Sequence, residues 1–197
     1  MLFCYADLSL GERYKLMSQS IIPRPIAWIT TESKEGKINL APFSYFTALS
    51  SEPPTLIVSI GHRPDGSPKD TLQNLRRKKR CTLCLARPEL MEKLQQTAQP
   101  LKPTQSEAEI FDIALENRLD GYPPMVSHAP VAFFCELLQE IELDGSRTIP
   151  LILRISHQFV DDSIFQDQAS YTIEWDPLGR VGKAYATLGE RLNPPTN

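Results

Sequence analysis

The chain has 197 residues, 41% of them hydrophobic and 23% charged, with a formal net charge of −3. That length and balance predict one soluble globular domain with a real core, without the basic excess of a general nucleic-acid or anionic-lipid binder. No uncharged stretch reaches the roughly 18 residues of a membrane span, and the opening MLFCYADLSLGERYK lacks a basic stretch before its apolar residues, so neither a span nor a secretory signal is predicted and a cytoplasmic location is expected.

Seventeen prolines, mostly at segment edges, divide the chain into short pieces. IIPRP, extended by the preference proline imposes on its predecessor, leads into the β-rich PIAWITT of residues 25–31. SKEGK (33–37) reads as a turn, INLAPFSYFTALS (38–50) as strand or extended loop, and PPTLIVSIG (53–61) as a strand buried on both faces. SPKDTLQNL (67–75) has the pattern of a helix start: Ser67 caps, Pro68 takes the first helical position and Asp70 falls three residues after the cap. Lys69 and Thr71 add a cation and a hydroxyl at an end that also attracts anions. On these residues alone, a self-capped helix is the simpler reading.

This helix is expected to run to about Arg77. RRKKR (76–80) reads as its solvated C-terminal end, where positive charge offsets the helix dipole, rather than as a nucleic-acid patch. RCTLCLA is the next strand, and the odd separation of Cys81 and Cys84 points their thiols to opposite faces. With no second pair and no clustered histidines, the cysteines (Cys4, Cys81, Cys84, Cys135) read as buried free thiols and no metal site is predicted. Helices are expected at PELMEKLQQTA (88–98) and at SEAEIFDIALEN (106–117), the second opened by a Ser106/Glu109 capping box. GYPPMVSHAP is a loop, and VAFFCELLQEIEL (131–143) and TIPLILRISHQFV (148–160) flank DGSR as a hairpin. The tail, residues 171–195, reads as a strand, a Gly-punctuated loop and a final short segment. Six or more short strands with two or three inserted helices predict a closed or half-closed barrel with helical decorations.

The run PRPIAWITTESKEGKINLAPFSYFTALSSEPPTLIVSI, followed by KDTLQNLRR, PVAFFCELLQEIEL and PLGRVGKAYATLG, resembles the flavin-reductase-like, FMN-binding split-barrel family over residues 14–189. The resemblance implies a single domain over 1–197, mainly β with short helices, built as a six-stranded antiparallel split barrel. It implies a homodimer with FMN near the subunit interface, and the apolar runs AWITT and FSYFTALS are the segments expected to meet the partner. It also implies the cofactor-binding residues. Thr30 and Thr31 lie against the flavin, and Asn39, Leu40, Ala41, Pro42, Phe43 and Ser44 face its isoalloxazine and ribityl chain. Ser59 to Arg63, together with Lys69, Asp70 and Thr71, form the phosphate end. The SPKDT helix start thereby becomes a phosphate site with Arg63 and Lys69 as its cations, and Asp70 a cap or an orienter of Lys69.

The chain departs from the family at Arg147 and Leu153, where a His and a Gly are common, and at Gly182-Lys183, where Gly-Gly is usual. Tyr185 is either a flavin contact or a packed barrel tyrosine. A flavin carries its own redox chemistry, so the protein need only bind, orient and tune it. In keeping with this, the chain shows no nucleophile–base set, no metal-spaced histidines and no dinucleotide or phosphate-loop glycine fingerprint. The implied activity is an FMN-dependent oxidoreductase passing electrons from NAD(P)H to flavin or another acceptor, with no catalytic side chain. The alternatives are a flavoredoxin-type electron carrier and a non-enzymatic barrel that has lost flavin. Neither nucleic acid nor membrane is an expected partner. His62 reads as a bystander beside the phosphate end, His128 as an idle loop residue and His157 as structural.

Overall fold

The computed structural model describes residues 1–102 and 104–192; residues 193–195 of the tail segment lie outside them. The chain begins with α1 (Leu10–Ser20), a helix not expected from the sequence although S-x-x-E at residues 9–12 signals it. Glu12 N–H donates to Ser9 Oγ and Ser9 N–H donates to Glu12 Oε2, a reciprocal cap. The strands that follow are β1 (Arg24–Pro25), β2 (Ala27–Glu32), β3 (Ile38–Phe43), β4 (Phe46–Ser51) and β5 (Pro54–Gly61). Next come α2 (Asp70–Lys78), β6 (Arg80–Leu85), α3 (Met91–Gln96), α4 (Glu107–Ile110), β7 (Leu115–Glu116) and β8 (Met125–Val126). The long hairpin β9 (Val131–Glu140) and β10 (Thr148–Val160) precedes β11 (Phe165–Asp167), β12 (Thr172–Ile173), β13 (Gly179–Val181) and β14 (Ala184–Ala186).

The main sheet is antiparallel throughout, in the order β3-β2-β6-β9-β10-β5-β4. Only Ser44 and Tyr45 separate β3 from β4, yet these strands occupy its two opposite ends. The sheet must therefore curl until its edges meet without pairing, which is a split barrel. It has seven strands rather than the expected six, because 38–50 breaks at Ser44–Tyr45 into two strands that part to either side of the seam. The fold is mainly β with a few short helices.

Side-chain alternation sorts the strands into two apolar layers. Ile29, Val58, Ile60, Leu83, Leu151 and Leu153 fill one, closed by Leu72 and Leu75 of α2, both fully buried. Trp28, Leu40, Cys84, Met125 and Phe134 form the other, against Leu94 of α3. Cys81 and Cys84 fall in different layers, as the odd spacing requires, and burial pushes the Cys84 thiol up to about 12. Cys81 and Cys135 are also buried, whereas Cys4 is exposed.

Four expectations need correction. In β5, Leu56, Val58 and Ile60 are buried while Ile57 and Ser59 stay half-buried, so one face only is covered. AWITT (27–31) is buried within its own chain and leaves nothing for a partner. The helix expected over 106–117 is a single turn, since Ser106 Oγ donates to Ile38 O of β3 and Glu109 pairs with Lys37 instead of closing a capping box. His157 is exposed beside Ser156, not packed. The RRKKR run does sit at a helix end, and most of its charges are engaged: Arg76 pairs with Glu140 at 2.8 Å, Lys78 with Glu32 at 3.3 Å and Arg80 with Glu136 at 3.2 Å. Arg77 donates to Glu32 O at 2.5 Å.

Candidate functional site

The first turn of α2 lies beside β3. Asp70 begins the helix, and Lys69 occupies the cap position with no side-chain capping bond. Ser67, the residue expected to cap, is diverted: its Oγ donates to Asp65 Oδ1 at 2.6 Å and its N–H to the same oxygen at 2.8 Å. A local turn has outcompeted the helix for that hydroxyl. The first N–H groups of α2 are left without a side-chain acceptor at the positive end of the dipole.

Two cations flank this helix end. Arg63 is fixed by donating to Pro68 O at 2.7 Å and to Asp70 Oδ2 at 2.5 Å. Asp70 thus orients Arg63, not Lys69. The ammonium of Lys69 stands 5.6 Å from the centroid of the Phe43 ring. No carboxylate among the described residues pairs with it; that of Asp70, the next residue, is taken by Arg63. Much of the Lys69 side chain is exposed, but the surrounding walls strip solvent from the ammonium, and this, with the neighbouring Arg63 charge, lowers its pKa.

These groups border a cavity of about 470 Å³, in the range of small-molecule and cofactor sites. Asn39, Ala41, Pro42 and Phe43 of β3 form one wall, and Arg63, Lys69, Asp70 and Thr71 another. The third comes from the 97–101 segment after α3, together with Glu107, none of which the sequence singled out. That segment carries no motif, and Glu107 looked like an ordinary position of a capping box. Ser44 lies on an adjoining smaller cleft with Tyr185, whose hydroxyl donates to Gln95 Oε1 at 2.7 Å.

The structure does not bring Thr30, Thr31, Leu40 or Ser59 to the cavity. Thr30 is fully buried and its Oγ1 donates to Pro124 O at 2.7 Å. Thr31 is fully buried too, and accepts from Asn74 Nδ2 at 3.1 Å and Asn39 Nδ2 at 3.4 Å. Asn39 also donates to Thr71 Oγ1 at 2.9 Å. This network pins the start of α2 to the β2–β3 hairpin and leaves the Thr71 proton free to donate elsewhere. Leu40 belongs to the core, and Ser59 sits on β5, its N–H donating to Tyr45 O at 2.8 Å. His62 lines the cavity, its Nδ1 lying 3.0 Å from Arg147 O.

Glu107 is 6% exposed and its Oε2 accepts from Leu40 N–H at 2.9 Å. Burial raises its pKa, with the Asp70 charge adding to the effect. The donor set around Lys69 is that of an anion site: an uncapped helix N-terminus, a pre-oriented guanidinium, an ammonium with no carboxylate partner among the described residues, and a hydroxyl. Beside it, Pro42 and Phe43 offer an apolar wall to a planar ring. A phosphorylated ring compound fits the two kinds of wall together.

Comparison with known proteins bears on the family and the fold. The family model described as flavin reductase like domain matches residues 17–181. A Halalkalibacterium halodurans protein, BH2278, is 33% identical, covering 96% of this chain and 94% of that protein. Nitrilotriacetate monooxygenase component B from Bacillus cereus superimposes with a TM-score of 0.92 at 29% identity, covering 98% of each chain. The 2-nitrobenzoate 2-nitroreductase NbaA of Pseudomonas fluorescens shares the fold, with a TM-score of 0.89 at 23% identity over 100% of this chain and 96% of that one.

Proposed function

Because the chain belongs to the flavin reductase like domain family, we propose that the cavity between β3 and α2 binds FMN and that the protein is an oxidoreductase passing electrons from NAD(P)H to free flavin or another acceptor. The observation that carries this reading is Lys69, a cation with no carboxylate partner among the described residues, beside Arg63 and an uncapped helix end on the wall of a cofactor-sized cavity. In this reading Arg63, Lys69, Thr71 and the α2 N–H groups hold the phosphate, and Asn39 to Phe43 face the ribityl chain and ring.

Each residue's part follows from its surroundings. Asp70 holds the Arg63 guanidinium in place before the ligand arrives, so little ordering remains to be done on binding. Asn39 donates to Thr71 Oγ1 and so leaves the Thr71 hydroxyl proton for another acceptor. Pro42 and Phe43 exclude water from one face of the ring. Bound flavin supplies the hydride and electron chemistry itself, which is why no acid–base pair is required of the chain. The likeness to a component of a monooxygenase supports delivery of electrons to something outside this chain.

The visible spectrum of the purified protein, followed by anaerobic mixing with NADH and with NADPH, tests the proposal. Flavin absorption bands that bleach with either nucleotide are expected. A protein that carries no flavin bands and takes up no added FMN would overturn it. Bands that neither nucleotide bleaches would instead assign the flavoredoxin-type carrier.

A further inference from the structure

The smaller cleft, about 190 Å³, shares Pro42, Phe43 and Ala98 with the main cavity, so whatever enters it lies next to the ring end of the proposed flavin. Its walls carry three aromatic rings, those of Tyr14, Phe43 and Tyr185, with Ile26 and Leu94 behind them, and none of these side chains brings a charge. It holds one cation, Arg180, and no acidic side chain. A second cation stands behind its wall. Arg24, 4% exposed, reaches Ser44 Oγ at 3.5 Å, and its Nη2 is buried with no partner.

The position of Arg180 is built by the β13–β14 hairpin. Val181 pairs with Ala184, leaving a two-residue connection in which Gly182 takes φ +53°, a conformation that favours glycine. Arg180 and Tyr185 are then direct cross-strand partners, and the guanidinium carbon lies 4.5 Å from the centroid of the Tyr185 ring. Arg180 spends Nε on Gly182 O at 3.2 Å and Nη1 on Gln95 Oε1 at 3.4 Å. Nη2 has no acceptor among the described residues, and no carboxylate neutralises the group. A guanidinium fork stacked on an aromatic ring and facing a cleft without acids is complementary to a carboxylate. The remaining volume suits one ring, since a cavity of about 150 Å³ accepts benzene.

We infer that this cleft binds a small aromatic carboxylate of the size of benzoate, its carboxylate on Arg180 and its ring between Tyr14 and Phe43. The inference rests on the flavin proposal only for what lies beside the ligand. Benzoate and benzamide are the probes, since they share shape and differ in charge. Calorimetry on the protein as purified, with or without flavin, should show benzoate binding and benzamide binding far more weakly. Arg180→Gln should weaken benzoate by about 10-fold or more, the loss of charge-assisted hydrogen bonds, and leave benzamide unchanged. Arg180→Lys, which keeps the charge without the fork, should fall between and controls for folding. Where flavin is present, benzoate should perturb its absorption bands without releasing it.

Equal affinity for the two probes, or benzoate binding unaffected in Arg180→Gln, would overturn the inference. So would displacement of flavin by benzoate, which would put the probe in the main cavity. A protein that carries no flavin, takes up no added FMN and still binds benzoate through Arg180 would defeat the flavin proposal and leave this one standing.

Discussion

Lys69 carries a charge that no carboxylate among the described residues pairs with. Arg63, its neighbour, already has Asp70, so an arriving phosphate gains most from the ammonium. Lys69→Ala is expected to weaken FMN by roughly 10- to 150-fold, the worth of a charge-assisted contact of about 1.5–3 kcal/mol. Riboflavin, which lacks the phosphate, should bind wild type and variant alike. The pH dependence follows from the direction of the shift. Because the Lys69 pKa is lowered, the ammonium is lost at a pH below that of an ordinary lysine. FMN affinity should therefore decline as pH rises through that lowered value, while riboflavin affinity stays flat there. Titration of both ligands at fixed ionic strength decides the matter; an equal loss for both would mean general damage rather than a lost phosphate contact.

The elements around the cavity show what local sequence can and cannot announce. The strands were legible, because β-branched and apolar runs bounded by proline and glycine leave little choice, and so was the opposite orientation of Cys81 and Cys84. The helices were legible in part: α2 and α3 fall where they were expected, whereas α1 was missed, α4 is shorter than expected and the caps were misread. Ser67 and Ser106 both carry cap-like signatures, yet one hydroxyl goes to Asp65 and the other to Ile38 O. Three-residue spacing cannot reveal a competing acceptor brought in by the fold. For α4 that competitor is the free edge of β3, whose groups must be satisfied by something. Glu107 does part of this by accepting from Leu40 N–H, as a buried carboxylate. The family resemblance located the cavity walls on β3 and at α2, but the 97–101 wall depends on how α3 ends against β3 and has no motif.

Glu107 gives this level its prediction. Its folded pKa is raised by burial, so the stability it contributes is full below the unfolded value and is lost as pH rises through the folded one. Glu107→Gln keeps an acceptor for Leu40 N–H and removes the buried charge. The variant should therefore melt higher than wild type at pH 7, with the gain shrinking as pH falls toward 4.5. Thermal unfolding across that range checks it; a gain that grows on acidification would contradict the argument.

On the scale of the molecule, the unburied apolar surface is concentrated near the amino terminus. Leu10 is 71% exposed, Tyr14 53%, Ile21 59% and, on β4, Leu49 48%. Tyr14 stacks on Tyr45 at a centroid distance of 6.2 Å, which joins α1 to the start of β4 as one surface. Arg24 fastens the end of the helix, donating from Nη1 to Ile21 O at 3.0 Å and also to Ser18 O. A rigidly held helix with apolar side chains facing solvent, beside an exposed edge strand, is a surface built for burial. A second copy of the chain is the expected occupant, through an interface of roughly 1,200–2,000 Å² in total. Light scattering at micromolar concentration should give twice the 22.3 kDa of the single chain. Placing charge on this face, with Met17→Glu and Ile21→Glu together, should give the 22.3 kDa species with its circular dichroism intact, since neither side chain is buried in the chain's own core. A wild-type protein that runs only as the single chain would remove α1 and β4 from any interface between copies.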